Sequence, residues 1–300
     1  MSIFPTRILL ATDGSKEAGL AAETASEVAR RTGSELHVVY ALALPIDTQD
    51  PSSFEPEVRL RMEEGARAML EEEVRRIESS GGEVAGSHLG LGRPDARIID
   101  LAEEMGAGLI VLGSRGLGPV RQALMGSVSE SVVRHAPCPV MVVRAEALAF
   151  PARILLATDG SEEADLAAAT ATDLAKGTGS ELHVVCVGHM PRVFYESPAA
   201  FMLDVDLHSR MEEDAERAAR TTLEEQVRKL REAGGEVAEA HARVGHPDTE
   251  IVGLAGKLGA GLIVVGSRGL GPLRRALMGS VSESVVRHAP CPVLVVRPER

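Results

Sequence analysis

Two glycine- and serine-containing segments hold the residues of this chain best suited to bind a ligand. The first reads Gly113-x2-Gly116-x9-Gly126-Ser127, and the second repeats the spacing as Gly266-x2-Gly269-x9-Gly279-Ser280. Glycine lets a backbone approach a ligand closely, and the N–H groups at a helix start favour an anion. A helical pattern begins with Ser127-Val-Ser-Glu130, which predicts a capping box. The spacing therefore predicts phosphate binding, with the Ser127 hydroxyl either capping the helix or facing the phosphate.

An Asp-Gly-Ser turn follows the first apolar run of each half. The sequence RILLATDGS occupies residues 7–15 and returns at residues 153–161. Ligands of open parallel sheets bind beyond the carboxyl ends of the strands, which is where Asp13 and Asp159 are predicted to lie. The alternative is that Asp13 caps the helix that follows it, since Asp and Ser are favoured in that position.

Arginine and histidine residues near the glycine segments have two interpretations each. Arg115 and Arg268 lie within the segments and either pair with phosphate or are solvated. His135 and His288 end a helical pattern, where a positive charge complements the helix dipole, so a structural role is predicted. Further candidates in the nine-residue spacers are Arg121, Arg274 and Arg275.

An internal repeat determines where these residues lie. Residues 106–144 return as residues 259–297 with only four changes, at Leu112/Val265, Val120/Leu273, Gln122/Arg275 and Met141/Leu294. We therefore predict two domains, residues 1–145 and 152–300, joined by Ala145–Pro151.

Within each half, short apolar runs alternate with amphipathic helical patterns in the order βαβαβαβαβ. Runs such as Leu109–Leu112 are continuously apolar, as is typical of parallel strands covered on both faces. The sequence therefore predicts an α/β protein with two tandem Rossmann-like domains, each a five-stranded parallel sheet flanked by helices. In the first half the predicted strands are Arg7–Ala11, Leu36–Tyr40, Val84–His88, Leu109–Leu112 and Val140–Val143, and the predicted helices are Lys16–Arg31, Arg59–Ser79, Asp95–Met105 and Ser127–His135.

Charge, apolar stretches and cysteine content exclude several classes of protein. The formal net charge of −12 argues against a surface for nucleic acid or anionic lipid. No apolar stretch reaches the ~18 residues needed to cross a bilayer, and no cleavable signal pattern is present, so a cytoplasmic protein is expected. Cys138, Cys186 and Cys291 are too few for a disulfide framework and are predicted to pack as small apolar residues. No residue is assigned to a metal ion.

The glycine spacing after the fourth strand, together with the TDGS turn after the first, resembles the ATP-binding class of the universal stress protein family. The resemblance covers essentially the whole chain, as a tandem two-domain member with adenine nucleotide alpha hydrolase-like domains. It implies one ATP site per domain, with or without Mg²⁺. By this resemblance, Asp13 and Asp159 contact chiefly the ribose, and the backbone of Val38 and Val184 meets the adenine edge. The residues expected to hold the phosphates are Gly113, Gly116, Gly126, Ser127, Gly266, Gly269, Gly279 and Ser280.

The sequence favours a binding protein over an enzyme. It contains neither the P-loop sequence GxxxxGK[ST] nor a GxGxxG at the first βα turn. No general base is evident beside the predicted phosphate site, because Asp13 and Asp159 are assigned to ribose. The preferred hypothesis is an ATP-binding regulatory protein of the stress response. A slow ATPase, a self-phosphorylating enzyme and a scaffold for another anion stay open.

Two further features bear on assembly and on differences between the halves. The last strands, Val140–Val143 and Val293–Val296, are predicted at sheet edges, and apolar edges invite pairing. We therefore expect the two domains to pair within the chain, and a homodimer of the whole chain stays open. The segments Ala41–Val58 and Val187–Leu207 differ most between the halves and are either ordinary loops or surfaces that carry separate functions.

Overall fold

Each half of the chain forms a five-stranded, all-parallel sheet, as predicted. The first sheet has the order β3-β2-β1-β4-β5 and the second the order β8-β7-β6-β9-β10. The strands of the first unit are β1 (Arg7–Thr12), β2 (Glu35–Ala43), β3 (Gly86–Gly92), β4 (Leu109–Gly113) and β5 (Val140–Val143). Those of the second are β6 (Arg153–Thr158), β7 (Glu181–His189), β8 (Glu239–Gly245), β9 (Leu262–Gly266) and β10 (Val293–Val296).

The computed structural model describes residues 4–44, 55–116, 125–144, 152–189, 205–269 and 278–298, apart from the side chains of residues 205–208. The chain divides into two compact units, the second of which runs from Pro151 to Arg297. The predicted linker Ala145–Pro151 lies outside the described residues. So do Arg121, Arg274 and Arg275, together with residues 45–54 and 190–204 of the two variable segments.

Helices connect the strands and cover the sheets. In the first unit they are α1 (Lys16–Thr32), α2 (Pro56–Ser79), α3 (Pro94–Met105) and α4 (Ser127–His135), and in the second α5 (Glu162–Thr178), α6 (Val205–Glu232), α7 (Pro247–Leu258) and α8 (Ser280–His288). Helix α1 packs beside α2, and α3 packs beside α4. Successive strands β1, β2 and β3 are added on one side of β1, and β4 and β5 on the other side. Because the crossovers are right-handed, the α1–α2 pair and the α3–α4 pair lie on opposite faces of the sheet.

The start and end of α1 follow from its terminal residues. Ser15 is the N-cap, and its hydroxyl oxygen accepts a hydrogen bond of 3.1 Å from the Ala18 N–H. Gly33 ends the helix in the left-handed conformation at φ 66°, which glycine adopts without strain. Ser161 and Gly179 repeat both features in α5. Ser15, rather than Asp13, therefore caps the helix after β1.

One strand of the first unit is displaced from its predicted position. The sequence predicts a strand over Val84–His88, whereas β3 runs from Gly86 to Gly92. Gly90 and Gly92 lack the apolar side chains on which the prediction depended. Gly92 ends the strand at φ 120°, a conformation open to glycine but strained for other residues.

The core of the first unit lies on the two central strands. Ile8, Leu9 and Leu10 of β1 and Leu109 and Ile110 of β4 are completely buried. The small residues Ala18, Ala21, Ala22 and Ala25 form the buried face of α1 and allow that helix to approach the sheet closely. No helix in the described ranges combines the length and the apolar character needed to span a membrane.

Candidate functional site

The strand order places the two predicted motifs of each unit at one edge of its sheet. Strands β1 and β4 are neighbours, but β1 leads to β2 on one side and β4 leads to β5 on the other. Such a reversal leaves a crevice at the carboxyl ends of the strands. Asp13 follows the end of β1, and Ser114 follows the end of β4. The structure therefore brings the Asp-Gly-Ser turn and the glycine segment together.

Asp13 joins the loops that follow β1 and β4. Its Oδ1 atom accepts a 3.0 Å hydrogen bond from the Ser15 N–H, and its Oδ2 atom lies against Gly116. A Cβ atom at position 116 would overlap with that oxygen. Asp159 makes the same bond to Ser161, and its Oδ2 lies against Gly269. A side chain at the second glycine of either segment would therefore displace the carboxylate of an aspartate of the same unit.

Each of these aspartates also lies near the end of the second strand of its unit. Burial, followed by the negative charge of Asp13, raises the pKa of Tyr40, which pairs with Thr12 across β1 and β2. Burial, followed by the charge of Asp159, raises the pKa of Cys186 to about 11. Each carboxylate therefore lies between the end of the second strand of its unit and the second glycine of the segment.

The first glycine of each segment has a packing role. A Cβ atom at Gly113 would lie 2.9 Å from the Glu17 carbonyl carbon and 3.1 Å from the Ala18 nitrogen. At Gly266 the equivalent Cβ would lie 3.0 Å from the Glu163 carbonyl carbon. Backbone atoms of the first helical turn would have to move to admit a side chain. Close packing of helix on strand therefore explains Gly113 and Gly266 without a ligand.

The third glycine of each segment has no such role. Gly126 has φ −75° and ψ 150°, and among the described residues the nearest atom to a Cβ built there is the Arg115 Cα at 3.5 Å. Gly279 has φ −76° and the same clearance from Arg268. These backbone angles and distances are ordinary for any residue. No contact among the residues that the structure describes therefore excludes a side chain at either position, and both lie immediately before a helix that begins at the crevice.

The predicted capping box is wrong. Gly126 occupies the N-cap of α4 and no side chain bonds to the cap, so Ser127 is the first helical residue. Glu130 pairs instead with Arg134 at 2.8 Å. Ser129 donates a buried hydrogen bond of 2.8 Å to the Gly113 carbonyl, which ties the start of α4 to the end of β4. The exposed Ser127 side chain therefore lies at the helix start without a capping role, as does Ser280 in α8.

Arginine residues give the glycine end of the crevice positive charge. Arg115 is half-exposed and pairs with Glu17 at 3.3 Å, and Arg268 pairs with Glu163 at 3.2 Å. Burial, followed by the positive charge of Arg115, lowers the pKa of Arg144, which follows β5. Arg115 and Arg144 therefore lie near enough to interact electrostatically. Arg144 is not among the residues predicted from the sequence, although an arginine follows the last strand in both halves.

The prediction for Val38 and Val184 is wrong. Val38 is completely buried and pairs with Leu10 of β1 and Ser87 of β3, so it lies inside the sheet. Val184 is equally buried and pairs with Leu156 and Ala240. Neither residue reaches the carboxyl edge, because the second strand of each unit continues for several residues beyond them.

The residues that do reach this edge are Ala41 and Ala43. Pairing of β2 with β1 stops at Tyr40, whereas pairing with β3 continues to Ala43. Within β2, the Glu35 N–H bonds toward β1 and the Leu36 carbonyl bonds toward β3. Successive residues of a strand direct their backbone groups to opposite neighbours, so Ala41 and Ala43 direct theirs to the side of β1. These two residues lie beyond the last residue of β1 that pairs with β2. Val187 and His189 are their equivalents in β7.

The histidine and cysteine residues singled out in the sequence have structural environments. His135 and His288 each place Nδ1 at 2.8 Å from the carbonyl four residues earlier, in the last helical turn. The three cysteines are buried and no disulfide joins them. Burial raises the pKa of the Cys291 thiol to about 12.

Comparison with known proteins gives consistent matches over both halves. The model of the universal stress protein family matches residues 5–144 and 152–297. A universal stress protein of Mycobacterium bovis is 29% identical over 299 residues, which cover 97% of this chain and 96% of that protein. A putative universal stress protein of Staphylococcus haemolyticus is 39% identical over 144 residues, 46% of this chain and 84% of that protein. The crystal structure of a universal stress protein from Archaeoglobus fulgidus superimposes with a TM-score of 0.68 at 26% identity, covering 99% of this chain and 98% of that one.

Proposed function

Because this chain belongs to the universal stress protein family and repeats one crevice in both of its family domains, we propose that it is a regulatory protein of the stress response that binds ATP in each unit. The nucleotide acts as a ligand that stabilises or switches the protein, and fast turnover is not part of this role.

The observation that carries the proposal is the pair Gly126 and Gly279. Each is a glycine at the N-cap of a helix that begins at the crevice, and no contact in the described part of the chain excludes a side chain there. A ligand that packs directly on the backbone explains the absence of a side chain there. The N–H groups of the first helical turn and its positive dipole end favour phosphate as that ligand. Arg115 and Arg144 add positive charge at the same end of the first unit.

Other residues of the crevice suit the remainder of an adenine nucleotide. The backbone of Ala41 and Ala43 projects past the end of β1 and offers donors and acceptors that match the hydrogen-bonding edge of adenine. The Asp13 carboxylate lies between this strand end and the glycine loop, where ribose hydroxyls would donate to it. In the second unit the corresponding residues are Val187, His189 and Asp159.

The acids near the crevice support binding in preference to catalysis. Asp13 holds the Ser15 N–H and lies against Gly116, and Glu17 pairs with Arg115. A general base must reach the proton that it removes, and these two carboxylates are held by other partners. The effect of a bound nucleotide is then one of linkage: a ligand at ~100 times its Kd stabilises the protein by roughly 2.7 kcal/mol.

The first experiment identifies what the protein carries. The full chain is purified without added nucleotide and denatured, and the released small molecules are identified by chromatography and mass spectrometry. With no Trp and two Tyr in 300 residues, the ultraviolet spectrum of the native protein also reports a bound base. Release of ATP, or uptake of up to two ATP per chain in calorimetry, is the expected result. If no nucleotide is released and added ATP neither binds nor raises Tm, the proposal is wrong.

A second measurement separates binding from catalysis. ATP hydrolysis and transfer of the γ-phosphate to the protein are followed with Mg²⁺ present, for the natural chain and for a Gly126→Ala, Gly279→Ala variant. Equal background rates in the two proteins support a binding role. A higher rate in the natural chain assigns an ATPase or self-phosphorylating activity to these sites instead.

A further inference from the structure

The second unit contains a cluster of two histidines and a carboxylate that the nucleotide site does not use. The Nδ1 atom of His183 lies 3.3 Å from the Nε2 atom of His241. The Oε2 atom of Glu239 lies 4.0 Å from the first nitrogen and 3.8 Å from the second. These three distances join the same three atoms, one from each side chain, so the three potential ligand atoms surround a single point.

Strand register produces this arrangement. His183 of β7 pairs directly with Glu239 of β8, and His241 follows Glu239 by two residues, which puts it on the same face of the sheet. The two histidine side chains are almost completely buried, at 7% and 9% exposure, whereas that of Glu239 is 62% exposed. The histidines are therefore held by the fold, and the carboxylate lies on the solvent side, where an ion would enter.

We propose that His183, Glu239 and His241 bind a divalent transition-metal ion of the Zn²⁺ class. A point equidistant from the three ligand atoms lies about 2.2 Å from each of them, close to the ~2.0–2.2 Å of zinc bonds to nitrogen and oxygen. Two imidazoles and one carboxylate are a ligand set that Zn²⁺ uses when it keeps one coordination position open for water.

An outer carboxylate supports this assignment. Coordination through Nδ1 leaves the His183 proton on Nε2, which is buried and has no hydrogen-bond partner among the described residues. Glu181 Oε2 lies 3.7 Å from this nitrogen and is itself held by Arg153 at 3.0 Å. A small movement of the exposed Glu181 side chain completes the carboxylate–histidine–metal arrangement that orients histidine ligands in metal sites.

The first unit supplies a natural comparison. His37 and His88 form the same pair, with Nδ1 and Nε2 3.2 Å apart, and Glu35 takes the place of Glu181. Gly86 pairs with His37 where Glu239 pairs with His183. The histidine pair thus persists without the carboxylate as a simple hydrogen bond between rings. The third ligand is what distinguishes the second unit.

This site is separate from the nucleotide crevice. Glu239 begins β8, and His183 and His241 are the third residues of their strands, so the cluster lies toward the amino ends of β7 and β8. The crevice lies at the carboxyl ends of the strands, beyond Asp159. Metal binding at the cluster can therefore be measured on nucleotide-free protein and does not depend on the proposed function.

The test uses the untagged full chain, stripped with a chelator and titrated with Co²⁺ as a spectroscopic probe for Zn²⁺. We expect one Co²⁺ per chain, with visible absorption of the intensity typical of four-coordinate cobalt, displaced by one equivalent of Zn²⁺. Glu239→Gln and His241→Gln remove a direct ligand, so each should weaken binding by at least the roughly 10- to 100-fold that loss of an outer partner costs. His88→Gln is the matched control and should leave stoichiometry and affinity unchanged.

Three outcomes would overturn the proposal. The first is the absence of the cobalt spectrum in the natural chain. The second is equal affinity of the natural chain and the Glu239→Gln variant, which would show that the carboxylate is not a ligand. The third is equal loss in His88→Gln and His241→Gln, which would assign binding to histidine pairs in general. Circular dichroism of each variant establishes that it is folded, and the exposure of Glu239 makes its substitution the least disturbing of the three.

Discussion

The Asp13 carboxylate lies directly over Gly116, so a residue after β1 and a residue after β4 share one small volume. The other oxygen of the same carboxylate holds the Ser15 N–H at the start of α1. Asp159 and Gly269 repeat this contact in the second unit. In each half of the chain, the aspartate of one motif therefore occupies the space that a side chain at the glycine of the other motif would fill.

This contact predicts the effect of Gly116→Ala combined with Gly269→Ala. The new Cβ atoms would displace both carboxylates from the crevice, while the strands and helices keep their packing. We expect the chain to stay folded and its affinity for ATP to fall at least about tenfold, which corresponds to ~1.4 kcal/mol of binding free energy. Calorimetric titration measures this. Gly65→Ala, which adds a methyl group on α2 with no described atom within 4 Å, is the matched control, and equal affinities of the two variants would contradict the steric argument.

Alanine should destabilise the protein more at the first glycine of the segment than at the third. Gly113→Ala forces a side chain into backbone of α1 and should cost roughly 1–3 kcal/mol of unfolding free energy. Gly126→Ala meets no described atom closer than 3.5 Å, and should cost less than about 1 kcal/mol, as expected for alanine at an N-cap. Urea unfolding of the nucleotide-free proteins checks this order. A larger loss in Gly126→Ala would mean that this glycine also serves the fold.

The paired histidines of the first unit predict a loss of stability in mild acid. Burial, followed by the neighbouring His37, lowers the pKa of His88. The unfolded chain therefore binds a proton at His88 more readily than the folded chain does. Neutral His88 contributes its full share of stability above the unfolded pKa of ~6.5, and this contribution is lost as the pH falls below that value. Urea midpoints at pH 7.5 and 5.5 should fall less in His88→Gln than in the natural chain. Parallel falls in the two proteins would contradict the assignment.

The buried thiols should be unreactive in the native protein. With a pKa of about 11, Cys186 is thiolate for only about one part in a thousand at pH 8, and Cys291, with a pKa of about 12, for less. An aromatic disulfide reagent should therefore react slowly with the folded chain and promptly with all three cysteines in denaturant. Immediate reaction of one thiol under native conditions would indicate a reactive site that the burial does not predict.

Pairing of the two domains through β5 and β10 stays a prediction, and the structure shows how to test it cleanly. The carbonyls of Pro139 and Val143 bond toward β4, so Val142 directs its N–H away from β4. Val142→Pro therefore removes a donor from the strand edge and leaves the ladder to β4 intact, as proline tolerates at an edge strand. We expect the radius of gyration in X-ray scattering to increase. An unchanged radius would show that the domains do not depend on this edge.

The sequence predicted the architecture because its signals were local and repeated. Continuous apolar runs such as Leu109–Leu112 marked buried parallel strands, and the TDGS turn marked the end of β1. Two features were mispredicted because of glycine residues. The end of β3 contains glycines in place of apolar residues, and the N-cap of α4 is a glycine, whereas the sequence predicts a serine capping box.

Features that depend on two distant segments could not be predicted from the sequence. The family resemblance places the adenine edge at Val38, and the sequence does not show that β2 continues past β1 to Ala43. The cluster of His183, Glu239 and His241 was missed because only the register of β7 on β8 brings these residues together. The signal that could have identified it is the Glu-x-His sequence in the second half, where the first half has Gly86-Ser87-His88.

Because a side chain fits beside Gly126, selection for stability and selection for ligand binding should give different residues at this position. A library of variants sorted for expression or heat resistance would largely keep alanine there, because it costs less than about 1 kcal/mol at an N-cap and no described atom lies within 3.5 Å of the new Cβ. Such a library would discard alanine at Gly113, where helix and strand meet. Only a sort for occupancy by the small molecule would remove alanine from position 126. Comparing the survivors of the two sorts would therefore map the binding surface without a bound complex.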